Sequence, residues 1–213
     1  MGAFRYNNGN YKKYHSKNFL KRWMIKRLNK KILELLNQSI EDLSLERIKI
    51  LDAGCGEGFI SNLIYSCIHN VEIVGLEYTR EALEIARKNN KNITYMQGDI
   101  YEMPFAENSF DIVICTEVLE HLDKPESALK ELKRTAKSRL ILTVPNEPWF
   151  CMGNLLALKN ISHLGNPADH INHWTYTEFK EFVHTYFNNA IYDTSFPWSI
   201  AYCEMENGDE KYE

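Results

Sequence analysis

LDAGCGEGF, residues 51–59, sets glycine at positions 54, 56 and 58 directly behind the branched apolar run that begins at Ile48. Glycine repeated at this density lets a chain turn tightly and lets another group approach the bare backbone. IKILDA (48–53) reads as a short strand, and residues from about Glu57 to Cys67 read as a helix. A glycine turn between a strand and a helix is where α/β proteins hold nucleotide-like ligands.

The same rhythm extends on both sides. VEIVGLE (71–77), NITYMQ (92–97), FDIVICT (110–116) and RLILTV (139–144) are further apolar strands. Thr79 to Lys88 is expected to be a helix with Thr79 as its N-cap, and Pro125 to Thr135 another with proline in a favoured first-turn position. Short apolar strands alternating with helices predict a parallel sheet covered on both faces, with the loops after its strands along one edge. Upstream, Phe19, Leu20, Trp23, Met24, Leu28, Ile32, Leu35 and Leu36 give an apolar stripe on a basic helix starting near Lys17. Downstream, 145–174 is rich in Asn, Pro, Gly, His and Trp and reads as a partly helical lid. A helix follows from Thr175 to Phe187, opened by Thr175 or Thr177. AIYDTSF (190–196) and SIAYCEM (199–205) are closing strands. The expected fold is therefore α/β: doubly wound, with a mostly parallel seven-stranded sheet, an N-terminal helix and a lid after strand 5. One domain is expected over 1–213, with a basic helical cap (1–45), a core (46–146), the lid and closing strands (147–205) and a tail (206–213).

Composition narrows the class. The chain has 213 residues, of which 44% are hydrophobic and 25% charged, in the range of ordinary globular domains. It contains no stretch of 18 uncharged apolar residues, and its N-terminus lacks the apolar core of a secretory signal. Five scattered cysteines without a Cys-x-x-Cys pair argue for reduced thiols in the cytoplasm, against a zinc cluster or a disulfide frame. Residues 1–31 carry ten Lys or Arg and no acid, which leaves 15 basic residues against all 29 acids in the remainder. The favoured reading packs this basic helix on an acidic body; a nucleic-acid or membrane-facing arm is the alternative.

The glycine pattern itself discriminates among ligands. A dinucleotide loop wants G-x-G-x-x-G, but Phe59 stands where the third glycine would follow Gly54 and Gly56, and Ser61 where it would follow Gly56 and Gly58. No phosphate-binding lysine follows the glycines. Glu77 closes the second strand 21 residues past Gly56 and can accept both hydroxyls of a ribose, at roughly 1.5–3 kcal/mol per charge-assisted bond.

With these residues in place, the sequence resembles the class I S-adenosylmethionine-dependent methyltransferases and is type 11-like, with a Rossmann-like fold. ILDAGCGEG resembles the family's first motif, in which Asp52, Gly54, Cys55, Gly56 and Gly58 would cradle the methionine and ribose. VGLEYTREALEIARKN resembles the second, with Glu77 on the ribose hydroxyls and Tyr78 beside the adenine. YMQGDIYEMPFAENSFDIVICTEVLEHL carries the third and fourth. The resemblance implies that Asp99 accepts the adenine amino group and Ile100 donates from its backbone. It also implies that Thr116 and His121 lie by the methionine end. The implied cofactor is S-adenosyl-L-methionine, leaving as S-adenosyl-L-homocysteine. Lys21 or Arg22 is a candidate for the cofactor's carboxylate.

Methyl transfer needs a nucleophile held in line, water excluded and, for many acceptors, a base. EVLEHL and DHINHW supply the candidates: His121, His170 with Asp169 beside it, and His173. Trp149, Phe150, Trp174 and Tyr176 would wall an apolar or planar small-molecule acceptor. No metal ligand is assigned in this reading, nucleic acid is disfavoured by the acidic body, and peripheral membrane contact falls to the N-terminal helix. One alternative gives Glu117, Glu120, His121 and a lid histidine to a divalent ion, in the order found in RNA 3′-terminal 2′-O-methyltransferases. A nicotinamide oxidoreductase and a cofactor-binding protein without turnover are the others.

Overall fold

The computed structural model describes residues 16–156 and 170–205, with the side chains of 153–156 left aside. The expectations for Asp169 and the 206–213 tail fall outside the described residues. The chain divides into two compact units, 1–104 and 105–213.

In the first unit, helix α1 (Phe19–Leu43) opens on Asn18, whose side chain accepts from the Lys21 N–H, and closes at Ser44 in the left-handed region. It buries Ile25, Leu28, Ile32 and Leu36. The expected single stripe does not hold, because Phe19, Leu20 and Trp23 are exposed. At about 100° per residue, those three side chains point away from the arc that holds the buried four. Strands β1 (Ile48–Ala53), β2 (Val71–Glu77) and β3 (Thr94–Gln97) run parallel in the order β3-β2-β1. Helices α2 (Phe59–Cys67) and α3 (Arg80–Asn89) are the crossovers between them, and α1 touches α2. The register pairs Ala53 with Leu76 and Glu77 with Gln97. All three strands therefore end nearly level, and residues 54–58, 77–79 and 98–100 share one edge.

In the second unit, β4 (Phe110–Thr116) and β5 (Ala136–Pro145) are parallel and joined through α4 (Pro125–Thr135). Helices α5 (Trp149–Leu156) and α6 (Tyr176–His184) follow. Strands β6 (Ala190–Ser195) and β7 (Trp198–Glu204) return antiparallel, giving the order β4-β5-β7-β6. Thr116 pairs with Thr143, and Pro145 with Trp198, so this unit also gathers loop residues at one end of its strands. The sheet order holds seven strands, with β1 to β3 parallel in the first unit and β4 parallel to β5 in the second, the expected mostly parallel α/β class.

The Val-, Ile- and Leu-rich centres of β1, β4 and β5 are buried on both faces, as strands covered by helices on either side must be. β5 is longer than expected because α4 passes into it at Ala136 with no connecting turn.

Candidate active site

The glycine loop makes three left-handed residues at alternate positions, Gly54 (φ 77°), Gly56 (φ 53°) and Gly58 (φ 76°). It is stapled to the end of β2, where the Leu76 carbonyl accepts from both the Gly54 N–H (2.8 Å) and the Cys55 N–H (3.0 Å). Glu77 completes the staple: Oε2 accepts from the Gly56 N–H at 3.0 Å and Oε1 from the Thr79 N–H at 2.8 Å. One half-buried carboxylate thus ties the loop to the start of α3. Thr79 is the N-cap of α3 as expected, but its side chain makes no capping bond, and Glu77 satisfies a free N–H there instead.

Beneath the loop the packing is tight. Asp52 is fully buried, and its Oδ2 accepts from the Ser61 hydroxyl. Burial pushes its pKa up from 3.8 to about 6, with the Ser61 bonds working the other way. The Cys55 thiol faces this floor too, and burial followed by the nearby Asp52 raises its pKa well above the ordinary range. A Cβ on Gly75 would come 2.6 Å from the Tyr95 ring and 2.8 Å from Cys55 Sγ; one on Gly58 would come 2.5 Å from Tyr95 Oη and 3.0 Å from Ala86. The absent side chain at Gly58 therefore makes room for the protein's own tyrosine and helix α3, whereas a ligand was the expected neighbour. Asp52 and Cys55 are turned into the same floor, so any part they take in binding passes through the loop's backbone.

Along the rest of this edge, Tyr78 is 64% exposed. Its carbonyl accepts from Gln97 Nε2 at 3.0 Å. Asp99 is exposed and Ile100 buried. The Asp99 carboxylate accepts from the Tyr101 N–H at 2.9 Å, a short local turn that fixes the loop after β3.

The second unit carries the acid and imidazole groups. Glu117, directly after β4, adopts φ 55° and donates its N–H to the Thr143 carbonyl at 2.9 Å. A left-handed non-glycine residue costs of order 1–2 kcal/mol and recurs at functional turns. It throws the chain into a 3-10 turn, Leu119–His121. Segment 170–175 is latched onto that turn. The Glu120 carbonyl accepts from the Ile171 N–H (2.8 Å) and the Asn172 N–H (3.0 Å), while Asn172 Nδ2 donates to the Leu119 (3.0 Å) and Leu122 (2.7 Å) carbonyls.

The latch brings His170 beside His121, with ring centroids 4.9 Å apart, and onto the Phe150 ring at 5.6 Å. Ligand atoms of Glu120, His121 and His170 lie within 4.8 Å of one another, as do those of Glu147, His170 and His173. Glu120 is 1% exposed. Glu147 is also buried, its Oε2 accepts from the Cys151 N–H at 3.2 Å, and its Oε1 stands 4.0 Å from His173 Nδ1. Burial, then Glu147, pushes the Cys151 thiol up to about 12.

All three candidate histidines thus belong to one cluster. Glu117 belongs to neither ligand group, so of the four-ligand set only Glu120, His121 and His170 come together. Sequence reading missed Glu147 and Asn172: both sit in an irregular stretch, and only the His-x-x-His spacing around Asn172 marked it. The expected aromatic wall is divided. Phe150 meets His170 and Trp198, but Trp174 stacks on Phe182 at 5.4 Å and serves the packing of α6.

Known proteins fit this arrangement. Residues 44–181 match the family described as "Methyltransferase domain". The chain is similar to an uncharacterized methyltransferase of Schizosaccharomyces pombe, at 37% identity over 42% of this chain and 36% of that one. It is also similar to a malonyl-[acyl-carrier protein] O-methyltransferase of Halalkalibacterium halodurans, at 29% identity over 61% and 48%. It spans about a third to a half of the length of these relatives. Among solved structures it resembles the magnesium protoporphyrin IX methyltransferase of Synechocystis with bound SAH, with TM-score 0.63, 19% identity, and 89% and 88% of the two chains covered. The chain belongs to the class I S-adenosylmethionine-dependent methyltransferases.

Proposed function

We propose that this protein transfers a methyl group from S-adenosyl-L-methionine to an oxygen, nitrogen or carbon of a small or medium acceptor with an apolar or planar body. The observation that carries the reading is the Glu77 knot: one carboxylate at the end of β2 bound to both the Gly56 and Thr79 N–H groups. A carboxylate held so has lone pairs left for ribose hydroxyls, and the three left-handed glycines put bare backbone alongside. Tyr78, Asp99 and Ile100 on the same edge suit an adenine. The residues present fit the cofactor.

When bound, S-adenosylmethionine supplies an electrophilic methyl on a sulfonium sulfur. The chain's task is to position the acceptor, exclude water and take up the acceptor's proton. His170, stacked on Phe150 and beside His121, is our candidate base, with Glu147 and His173 next to it. The glycine turn and Glu77 would hold the cofactor, which would supply the methyl group, and the His170 imidazole would take up the proton that the acceptor gives up. The relatives' names support acceptors of varied chemistry: malonyl-[acyl-carrier protein] for one, magnesium protoporphyrin IX for the structural neighbour. All five cysteines carry free thiols, in keeping with the reducing, cytoplasmic setting we propose.

Release of S-adenosylhomocysteine from S-adenosylmethionine and fractionated cell-extract metabolites tests the reading. Product dependent on one fraction is expected, cut at least about a hundredfold by His170→Ala. Tight cofactor binding with no product from any fraction would mark a binding protein without turnover.

The Glu120–His121–His170 group favours a second reading, a divalent ion at which a terminal RNA ribose would be methylated. Calorimetric titration with Mn²⁺ separates the two: micromolar binding lost in His170→Ala supports the ion, and flat heats remove it.

A further inference from the structure

Helix α1 has a second face that its packing does not use. Numbered at about 100° per residue, the buried Ile25, Leu28, Ile32 and Leu36 fall within roughly 80° of arc. Phe19, Leu20 and Trp23 fall within roughly 100° of each other on the opposite side, and they are 81%, 59% and 44% exposed. Lys26, Arg27 and Lys30 are exposed on that same side, and the Arg27 guanidinium sits 4.9 Å over the Trp23 ring. No acid precedes Glu34, which pairs with Lys30 at 3.4 Å. The first three turns therefore present a cationic, aromatic ridge on the side away from the buried residues of this helix.

We propose that this ridge docks the protein on an anionic lipid surface, with α1 lying in the headgroup plane. Three features choose lipid over a polyanion such as RNA. Two aromatic rings and a leucine gather at one end of the helix, where an aqueous phosphate track would leave them wet. The flanking Lys and Arg stems are long enough to hold their charges at headgroup level while the rings sink. Charge is complementary as well: the sequence over 1–31 holds ten cations and no acid, and the exposed Lys26, Arg27 and Lys30 on this side would meet a negative leaflet. The helix lies on the membrane and does not span it, because no described helix is long and apolar enough to cross. Docking of this kind would bring an enzyme to acceptors dissolved in lipid, but it rests on α1 alone and stands if the acceptor is soluble.

Vesicle co-sedimentation of the full chain tests it. We expect binding to vesicles of phosphatidylglycerol and phosphatidylcholine (3:7), no binding to phosphatidylcholine alone, and weakening with added salt. The F19A/L20A/W23A variant should need at least about tenfold more lipid, and K26Q/R27Q/K30Q about a hundredfold more. All six side chains are exposed, so thermal midpoints should match the wild type. Quenching by brominated lipid supplies an independent readout, with the quenched part of the emission disappearing in Trp23→Phe. Three results would overturn the proposal: no sedimentation with anionic vesicles, unchanged sedimentation of F19A/L20A/W23A, or tighter binding to a single-stranded oligonucleotide through the three cations alone.

Discussion

At the scale of single residues, Gly58 and Asp52 show how much of the loop's chemistry is spent on its own support. Gly58 combines φ 76° with a Tyr95 hydroxyl 2.5 Å from the position a Cβ would take. Alanine there meets both a backbone penalty and a clash, so Gly58→Ala should cost roughly 2–4 kcal/mol in urea unfolding. Adding Tyr95→Phe removes the clashing oxygen and should recover part of that loss; strictly additive penalties in the double variant would contradict the packing described. Asp52 gives a prediction in pH. Its carboxyl ionises near pH 6 in the fold and near 3.8 in the unfolded chain. Between those values the folded state holds more protons, so stability falls as pH rises through that window and stays lower above it. The loss is about 3 kcal/mol by pH 7. Asp52→Asn can still accept from Ser61 and should flatten this part of the profile, leaving the variant more stable than wild type at pH 7 but not at pH 4. Parallel profiles would place the proton elsewhere.

At the scale of elements, the strands were legible and the turns were less so. β1, β2 and β4 match the sequence reading to the residue, because a strand whose centre is buried on both faces writes itself as a mostly apolar stretch. Helix α6 was legible for a different reason: Thr175 and Glu178 form a reciprocal cap, in which Thr175 Oγ1 accepts from the Glu178 N–H at 3.3 Å and Glu178 Oε2 from the Thr175 N–H at 2.8 Å. Thr175→Ala should lower stability by about 1 kcal/mol, seen as a shifted urea midpoint with unchanged slope. The hydrogen bonds to Thr175 also hold the Glu178 carboxyl below its usual pKa, so the cap's contribution should fade as acid protonates Glu178. The left-handed Glu117, by contrast, has no sequence signal, since nothing in EVLEHL distinguishes a 3-10 turn from the first turn of an α-helix. The Asn172 latch was equally hidden, because it joins residues about fifty positions apart. On α1 the spacing of apolar residues suggested one stripe, yet a three-to-four rhythm drifts around the helix and ends on two faces.

At the scale of the whole molecule, the proposed function draws on two sets of residues, each described within its own unit. The first unit offers a glycine turn, a fixed carboxylate and an edge suited to a nucleoside. The second offers buried carboxylates and clustered imidazoles. The glycine turn was legible because its left-handed backbone demands glycine at alternate positions, and Glu77 because it closes a strand that the apolar pattern marks. The carboxylate and imidazole cluster was less legible, because Glu147 and Asn172 lie on irregular segments that carry no periodic signal.

The central claim is that Glu77 and the glycine turn grip the ribose of S-adenosylmethionine, and calorimetric titration with S-adenosylhomocysteine tests it most directly. The account predicts tight one-to-one binding, no comparable heat with NADH, and a loss of roughly 2–4 kcal/mol in Glu77→Ala, from two charge-assisted bonds removed. A folded Glu77→Ala protein that binds the nucleoside as well as wild type, or a wild type that prefers NADH, would contradict it.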